Sequence, residues 1–149
     1  MKTKREAIIV DLDGTLCDNA VRANFKSNNH KDYWPLYEYI PFDKPNKWCV
    51  DIMDMADLYG CKIIFLTARP KKYEQKTRDW LIKHLTLVSF SYDLIMMPND
   101  YRYQPPVFKK ARIKELNKKY NILFALDDQR ANVDVMREEG IMCLHCGND

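Results

Sequence analysis

Apolar residues along this chain fall into two patterns. Short unbroken runs, such as Ala7-Ile8-Ile9-Val10, Ile63-Ile64-Phe65-Leu66 and Ile122-Leu123-Phe124-Ala125-Leu126, read as strands buried on both faces. Between them lie stretches with helical spacing, the first over residues 46–59 with Val50, Met53 and Leu58. Gly60 stops that helix. A second helix is predicted from Pro70, which suits a first turn, through Trp80, Leu81 and Leu85. A third is predicted over 107–120 and a last over 131–139, ending at Gly140. The strands are predicted at about 7–11, 61–66, 92–97, 122–126 and 141–144. Strands alternating with helices predict an α/β fold with a mainly parallel sheet.

A length of 149 residues suits one domain, so residues 1–149 are read as a single unit. The polar and aromatic stretch at 17–45 breaks the alternation and is read as a mini-lid insertion, with Tyr33, Trp34, Tyr37 and Tyr39 folding onto the site or core. No apolar run reaches membrane-span length, and the N-terminus leads straight into a strand, so no membrane partner and no signal peptide are expected. Five scattered cysteines argue for a reducing compartment, and a cytoplasmic location is expected. Cys143-Leu144-His145-Cys146 lacks a matching half for a zinc site, so Cys143 is read as part of a final strand. A net charge of +3 does not demand a nucleic-acid partner, but grouped cations would suit an anionic substrate. Four glycines and no Gly-x-x-x-x-Gly-Lys loop argue against a P-loop kinase.

The chemistry lies at the strand ends. Asp11-Leu12-Asp13-Gly14-Thr15 places two carboxylates at the end of a buried run, where like charges need a cation or a shared proton. The second run ends in Thr67-Ala68-Arg69 and the fourth in Asp127-Asp128, while Lys109 and Lys110 open the third helix. Each signal alone has an ordinary alternative. An Asp-Gly pair is a turn, Thr67 a helix cap, the lysines a solvated face, and Asp127-Asp128 a turn after a strand. All of them fall where open parallel sheets bind ligands.

In this order, Asp-x-Asp-Gly-Thr, Thr, Lys and the acidic pair resemble the haloacid dehalogenase-like (HAD) superfamily of phosphotransferases. The resemblance implies a three-layer, Rossmann-like fold with a five-stranded sheet in the order 5-4-1-2-3 and a small or absent cap. It implies that Asp11 is the nucleophile of an aspartyl-phosphate mechanism and Asp13 the general acid and then base, with a pKa raised by nearby carboxylates. It implies a Mg²⁺ site from Asp11, the Asp13 carbonyl, Asp127 and Asp128, with Thr67 and Lys109 holding phosphoryl oxygens. The family lysine follows an apolar pair, which favours Lys109 over Lys110.

Within the superfamily, Thr67-Ala68-Arg69 and the tail Asp127-Asp128-x7-Met136-Arg137-x2-Gly140 are similar to the 3′-phosphatase domain of bacteriophage polynucleotide kinase. Arg69 matches that family's arginine, and Arg130 stands one place after its second, since Gln129 follows the acidic pair. The resemblance implies substrate contacts from Thr67, Arg69, Lys109 and Arg130. The expected activity is Mg-dependent removal of 3′-phosphates from nucleic-acid ends, in the context of nucleic-acid repair. The alternatives are a small-molecule (deoxy)nucleotide phosphatase and a non-catalytic nucleic-acid-end or protein-binding module. Tyr101-Arg102-Tyr103 is a candidate base-stacking element.

Overall fold

The runs 7–10 and 63–66 are apolar throughout because both faces of the sheet are covered there; the run 122–126 is fully buried only at Ala125 and Leu126, and Leu123 is exposed. A computed structural model describes residues 2–22, 24, 36–85 and 91–147. The central strand β1 (Arg5–Val10) is flanked by β4 (Lys62–Pro70) and β6 (Tyr120–Asp127), with β5 (Tyr92–Met97) and β7 (Cys143–His145) outside them. All four pairings are parallel, in the order β5-β4-β1-β6-β7. This is the expected order 5-4-1-2-3 once the five long strands are counted alone. A two-residue antiparallel ladder, β2 (Cys17–Asp18) with β3 (Lys44–Pro45), closes the base of the 17–45 segment.

Side chains alternate along β1, and two separate cores result. Ile8 and Val10 face one side, where Cys49 and Met53 of α1 (Lys47–Tyr59) and Trp80 and Leu81 of α2 (Glu74–His84) pack. Ala7 and Ile9 face the other side, against Phe108, Ile113 and Leu116 of α3 (Pro105–Lys119) and Val133 and Met136 of α4 (Arg130–Glu138). Three layers result, as expected. Gly60 ends α1 in the left-handed region at φ 99°, where its N–H reaches back to Ala56 and Asp57.

Several boundaries differ from the expectation. Pro70 does not open a helix. It is extended (φ −62°, ψ 143°), closes β4 opposite Met97, and is followed by a 3-10 turn over Lys71–Tyr73 before α2 begins at Glu74. A proline φ serves an extended residue as well as a first helical turn, and the edge pairing with β5 decides between them. Conversely, α3 starts two residues early, with Pro105 and Pro106 in its first turn, where their missing N–H groups cost nothing. Strand β6 runs from Tyr120 rather than 122, and β7 begins at Cys143 rather than 141. Helix α4 lies one residue earlier than predicted at both ends. Among the described residues, no helix is long and apolar enough to cross a membrane. Cys17, Cys49, Cys61, Cys143 and Cys146 are all free thiols. Tyr33 and Trp34 lie outside the described residues.

Candidate active site

Because β1 and β6 are in register at Val10 and Leu126, their next residues, Asp11 and Asp127, emerge side by side at one sheet edge. The Asp11 N–H completes the ladder by donating to Leu126 O at 3.0 Å. Between the two carboxylates sits Lys109 from the first turns of α3. Its Nζ donates to Asp11 Oδ1 at 2.9 Å and to Asp127 Oδ2 at 2.6 Å, and all three side chains are buried. The other Asp127 oxygen accepts from the Gln129 N–H at 2.9 Å and from Asn132 Nδ2 at 3.2 Å. Lys110 points away, to Glu138 at 2.9 Å on the exposed surface. Of the two neighbouring lysines, Lys109 is the one whose ammonium lies between the Asp11 and Asp127 carboxylates.

Burial pushes the Asp11 carboxyl well above the usual carboxylate range. Lys109 opposes this, and Asp127 and Asp128 add to it. Burial alone would lower the Lys109 ammonium, but its two carboxylate partners raise it. Asp11, Asp127 and Asp128 offer carboxylate oxygens all within 4.8 Å of one another. Three carboxyl groups against one ammonium leave an acidic surplus in a largely buried space. All-oxygen donors at this separation, with that surplus, fit a small hard divalent cation.

Two residues along, Asp13 sits among guanidiniums. Arg69 Nη2 donates to its Oδ1 at 2.8 Å and Arg69 Nε to its Oδ2 at 3.1 Å, while Arg22 Nη2 also donates to Oδ1. Both arginines are fully buried. Behind them Asp43 accepts from Arg22 Nε at 2.9 Å and Arg22 Nη2 at 2.8 Å, with Arg69 Nη2 at 3.5 Å. The remaining Arg69 nitrogen, Nη1, donates to Thr77 Oγ1 at 3.1 Å. Trp80 Nε1 holds the Asp43 carbonyl at 2.9 Å. Burial alone would raise the Asp13 carboxyl, but Arg69 and then Arg22 overcome it and hold the group down to about 2. The raised Asp13 pKa expected from nearby carboxylates is thus reversed: the charged groups closest to it are cationic.

The remaining expected residues divide. Thr67 is buried near the end of β4, where its hydroxyl accepts the Arg69 N–H at 3.1 Å, so it caps no helix. Gly14 turns the chain at φ 80°, and a Cβ there would run into the Asp128 carboxylate. Thr15 is buried beside it and donates to Asp128 Oδ1 at 3.4 Å. The loop after β1 and the acidic pair after β6 are therefore fitted to each other. Arg130 opens α4 and is exposed. At the edge of the sheet, His145 Nε2 bonds the Asp128 carbonyl at 3.0 Å, and Cys143 is buried in β7, as a strand residue should be.

Arg22 and Asp43 are the residues that sequence reasoning missed. Both come from the 17–45 segment, whose described part also lays the Tyr37 ring 5.8 Å from the Arg22 guanidinium carbon. No local signal marks either one. Arg22 stands in a polar stretch, and Asp43 after Pro41-Phe42 reads as a turn residue.

The comparisons with known proteins bear on this geometry directly. The family model of the polynucleotide kinase PNKP phosphatase domain, of the HAD type, matches residues 5–149. No curated protein matches the chain. Among solved structures, one chain of a Pnkp1/Rnl/Hen1 RNA repair complex is 27% identical, with 98% of this chain and 44% of that one aligned and a TM-score of 0.75. A second structure of the Pnkp1/Rnl/Hen1 complex aligns at 30% identity over 97% and 47% of the two chains, with a TM-score of 0.74. The class C acid phosphatase of Bacillus anthracis shares the fold at a TM-score of 0.76, with 14% identity over 99% of this chain and 68% of the other. This chain therefore spans less than half the length of the repair-complex chains it matches. With the family model covering all but its first four residues, the chain belongs to the PNKP phosphatase domain family and is a HAD-type phosphatase domain.

Proposed function

We propose that this domain is a Mg²⁺-dependent phosphomonoesterase that works through an aspartyl-phosphate on Asp11 and removes 3′-phosphates from nucleic-acid ends. The observation that carries the reading is Lys109 bridging Asp11 and Asp127, with Asp128 in the same group of oxygens. Asp11, Asp127 and Asp128 would hold the cation, with the Asp13 carbonyl as a further ligand. A bound Mg²⁺ supplies charge neutralisation, so that an anionic carboxylate can approach an anionic phosphate.

In the first step an Asp11 oxygen bonds to phosphorus as the bond to the leaving oxygen breaks. Lys109 and the Thr67 hydroxyl offset the charge on the equatorial oxygens. Asp13 moves the proton in both steps. In the arrangement described it is ionised and held as an acceptor, suited to taking a proton from water in the second step. For donation in the first step a substrate oxygen would take over Arg69 or Arg22; Asp13, freed from that guanidinium, then takes up a proton from solvent and passes it to the leaving oxygen. This gives both arginines a substrate-binding role and adds Arg22 to the residues expected from sequence. Arg130, exposed on α4, is left for contacts beyond the phosphoryl group.

The polynucleotide part of the reading rests on the family match and on the RNA repair complexes in which two structural relatives were solved. The test compares kcat/KM for a 3′-phosphorylated oligonucleotide, its 5′-phosphorylated counterpart and free nucleoside monophosphates, each with Mg²⁺ or chelator. Mg²⁺-dependent release with the 3′-phosphorylated oligonucleotide preferred is expected. A preference for free 5′-nucleotides would make this a nucleotide phosphatase, and full activity in chelator would remove the metal.

A further inference from the structure

On the β5 side the rim of the site is built from two short segments that belong to neither charge cluster. One is the Lys71–Tyr73 turn after β4; the other spans residues 98–104, between β5 and α3. The Lys72 N–H donates to Asn99 Oδ1 at 2.6 Å and ties the two together. Tyr101, whose N–H is turned back onto Pro98 O at 3.1 Å, sets its ring edge-on to Phe108 at 5.4 Å and 69°. Tyr103 in turn meets Tyr101 at 5.7 Å and 68°. Phe108 is buried and immediately precedes Lys109. A line of three aromatic rings thus runs from Phe108, one residue before Lys109 in α3, out to the surface, where Tyr103 is 68% exposed.

The inner rings hold the line, since each is fixed by its neighbour in a favourable edge-to-face contact. The outermost ring is left with a free face in water. The two segments also carry the exposed cations Lys71, Lys72 and Arg102 and one carboxylate, Asp100. A groove of about 290 Å³ lies alongside β5, lined by residues 94–96 of that strand together with Lys71, Glu74, Pro98, Phe108 and Arg112. Ring faces beside cations are what an unpaired strand requires: a π-face for a base and positive charge for its backbone phosphates.

We propose that Tyr103, with Lys71, Lys72 and Arg102, is a platform for the unpaired nucleotides leading to the phosphorylated end. The base stacks on Tyr103, and the cations follow the backbone. A paired duplex keeps its base faces inside the stack, so the partner is single-stranded. The inference deepens the 3′-phosphatase reading and rests on it for the direction in which the strand enters.

The test uses one short single-stranded oligonucleotide with a 3′-phosphate. In turnover, the gain in kcat/KM on going from a nucleoside 3′-monophosphate to that oligonucleotide should fall roughly tenfold in Tyr103→Ala, the scale of one lost base–aromatic stack. Tyr103→Phe, which keeps the ring, should retain the gain. A gain unchanged in Tyr103→Ala overturns the platform and leaves the 3′-phosphatase reading intact. The second measurement is fluorescence anisotropy of the labelled oligonucleotide on Asp11→Asn protein, which cannot turn over. Adding Tyr103→Ala should weaken binding roughly tenfold, and adding Lys71→Ala and Lys72→Ala should flatten the dependence of affinity on salt. If wild-type protein releases no 3′-phosphate yet these binding losses appear, the platform stands and the reaction assignment falls. If binding is insensitive to all three residues, the platform falls.

Discussion

Asp11 and Asp13 stand two residues apart in one motif, yet their surroundings are opposite. Asp11 faces β6 and α3, in a group of three carboxylates around a single lysine. Asp13 faces β4 and the 17–45 segment, where two buried guanidiniums close on it and Asp43 backs them. Burial pushes both carboxyls up. It prevails at Asp11, where further carboxylates add to it, and loses at Asp13, where arginines oppose it. The first cluster carries surplus negative charge and calls for a cation. The second balances itself, two arginines against two aspartates. One motif thus holds two carboxylates of opposite electrostatic character because its two side chains meet different walls.

The most severe way to break this comparison is at Asp11. Asp11→Asn keeps the shape and removes the nucleophile, so turnover should fall by at least about a thousandfold, the scale seen when a nucleophile is lost. The same change relieves a carboxyl whose pKa is raised on folding. Such a group destabilises the fold at pH above its unfolded pKa, so in chelator near neutral pH the variant's Tm should equal or exceed that of wild type. Activity within tenfold of wild type, measured as phosphate release, would remove the aspartyl-phosphate.

The comparison is sharpened at Asp43, which touches neither Asp11 nor Lys109 by any contact described. Asp43→Asn leaves two buried guanidiniums facing one ionised carboxylate. Stability should drop by about 2–3 kcal/mol, read by denaturant unfolding; asparagine still accepts one hydrogen bond, so the loss stays below that of a fully orphaned charge. Activity should fall roughly tenfold through misplacement of Arg22 and Arg69, while Mg²⁺ affinity, set in the other cluster, should hold. Loss of Mg²⁺ affinity equal to the loss of rate would show that the two clusters are not separate.

The smallest effect is expected at Lys110, one residue from Lys109 and on the surface. Lys110→Ala should leave kcat/KM within roughly twofold, because exposed pairs such as those with Glu138 contribute little. A loss on the scale expected for Lys109 would mean that the choice between the neighbouring lysines has been made the wrong way round.

Much of this was legible in the chain itself. Double-sided burial requires unbroken apolar runs, so the central strands β1 and β4 could be read directly, and the strand ends carried Asp11, Asp13, Thr67 and Asp127. The family motif pointed to Lys109. Pro70 was misread because one φ value suits two structures, and only pairing with Met97 chose the extended one. Arg22 and Asp43 were invisible because nothing in a polar insertion marks which of its charged residues will turn inward.

The layered α/β architecture and the acidic strand ends were already written into the chain, since both follow from hydrophobic periodicity and residue type over a few neighbouring positions. Which carboxylate is crowded by its own kind and which is disarmed by arginine emerged with folding. That outcome depends on Arg22 and Arg69, 9 and 56 residues from Asp13, and on Lys109, 98 residues from Asp11. Charge interactions in a buried site are set by distances in space, where a few ångströms decide the sign of a pKa shift.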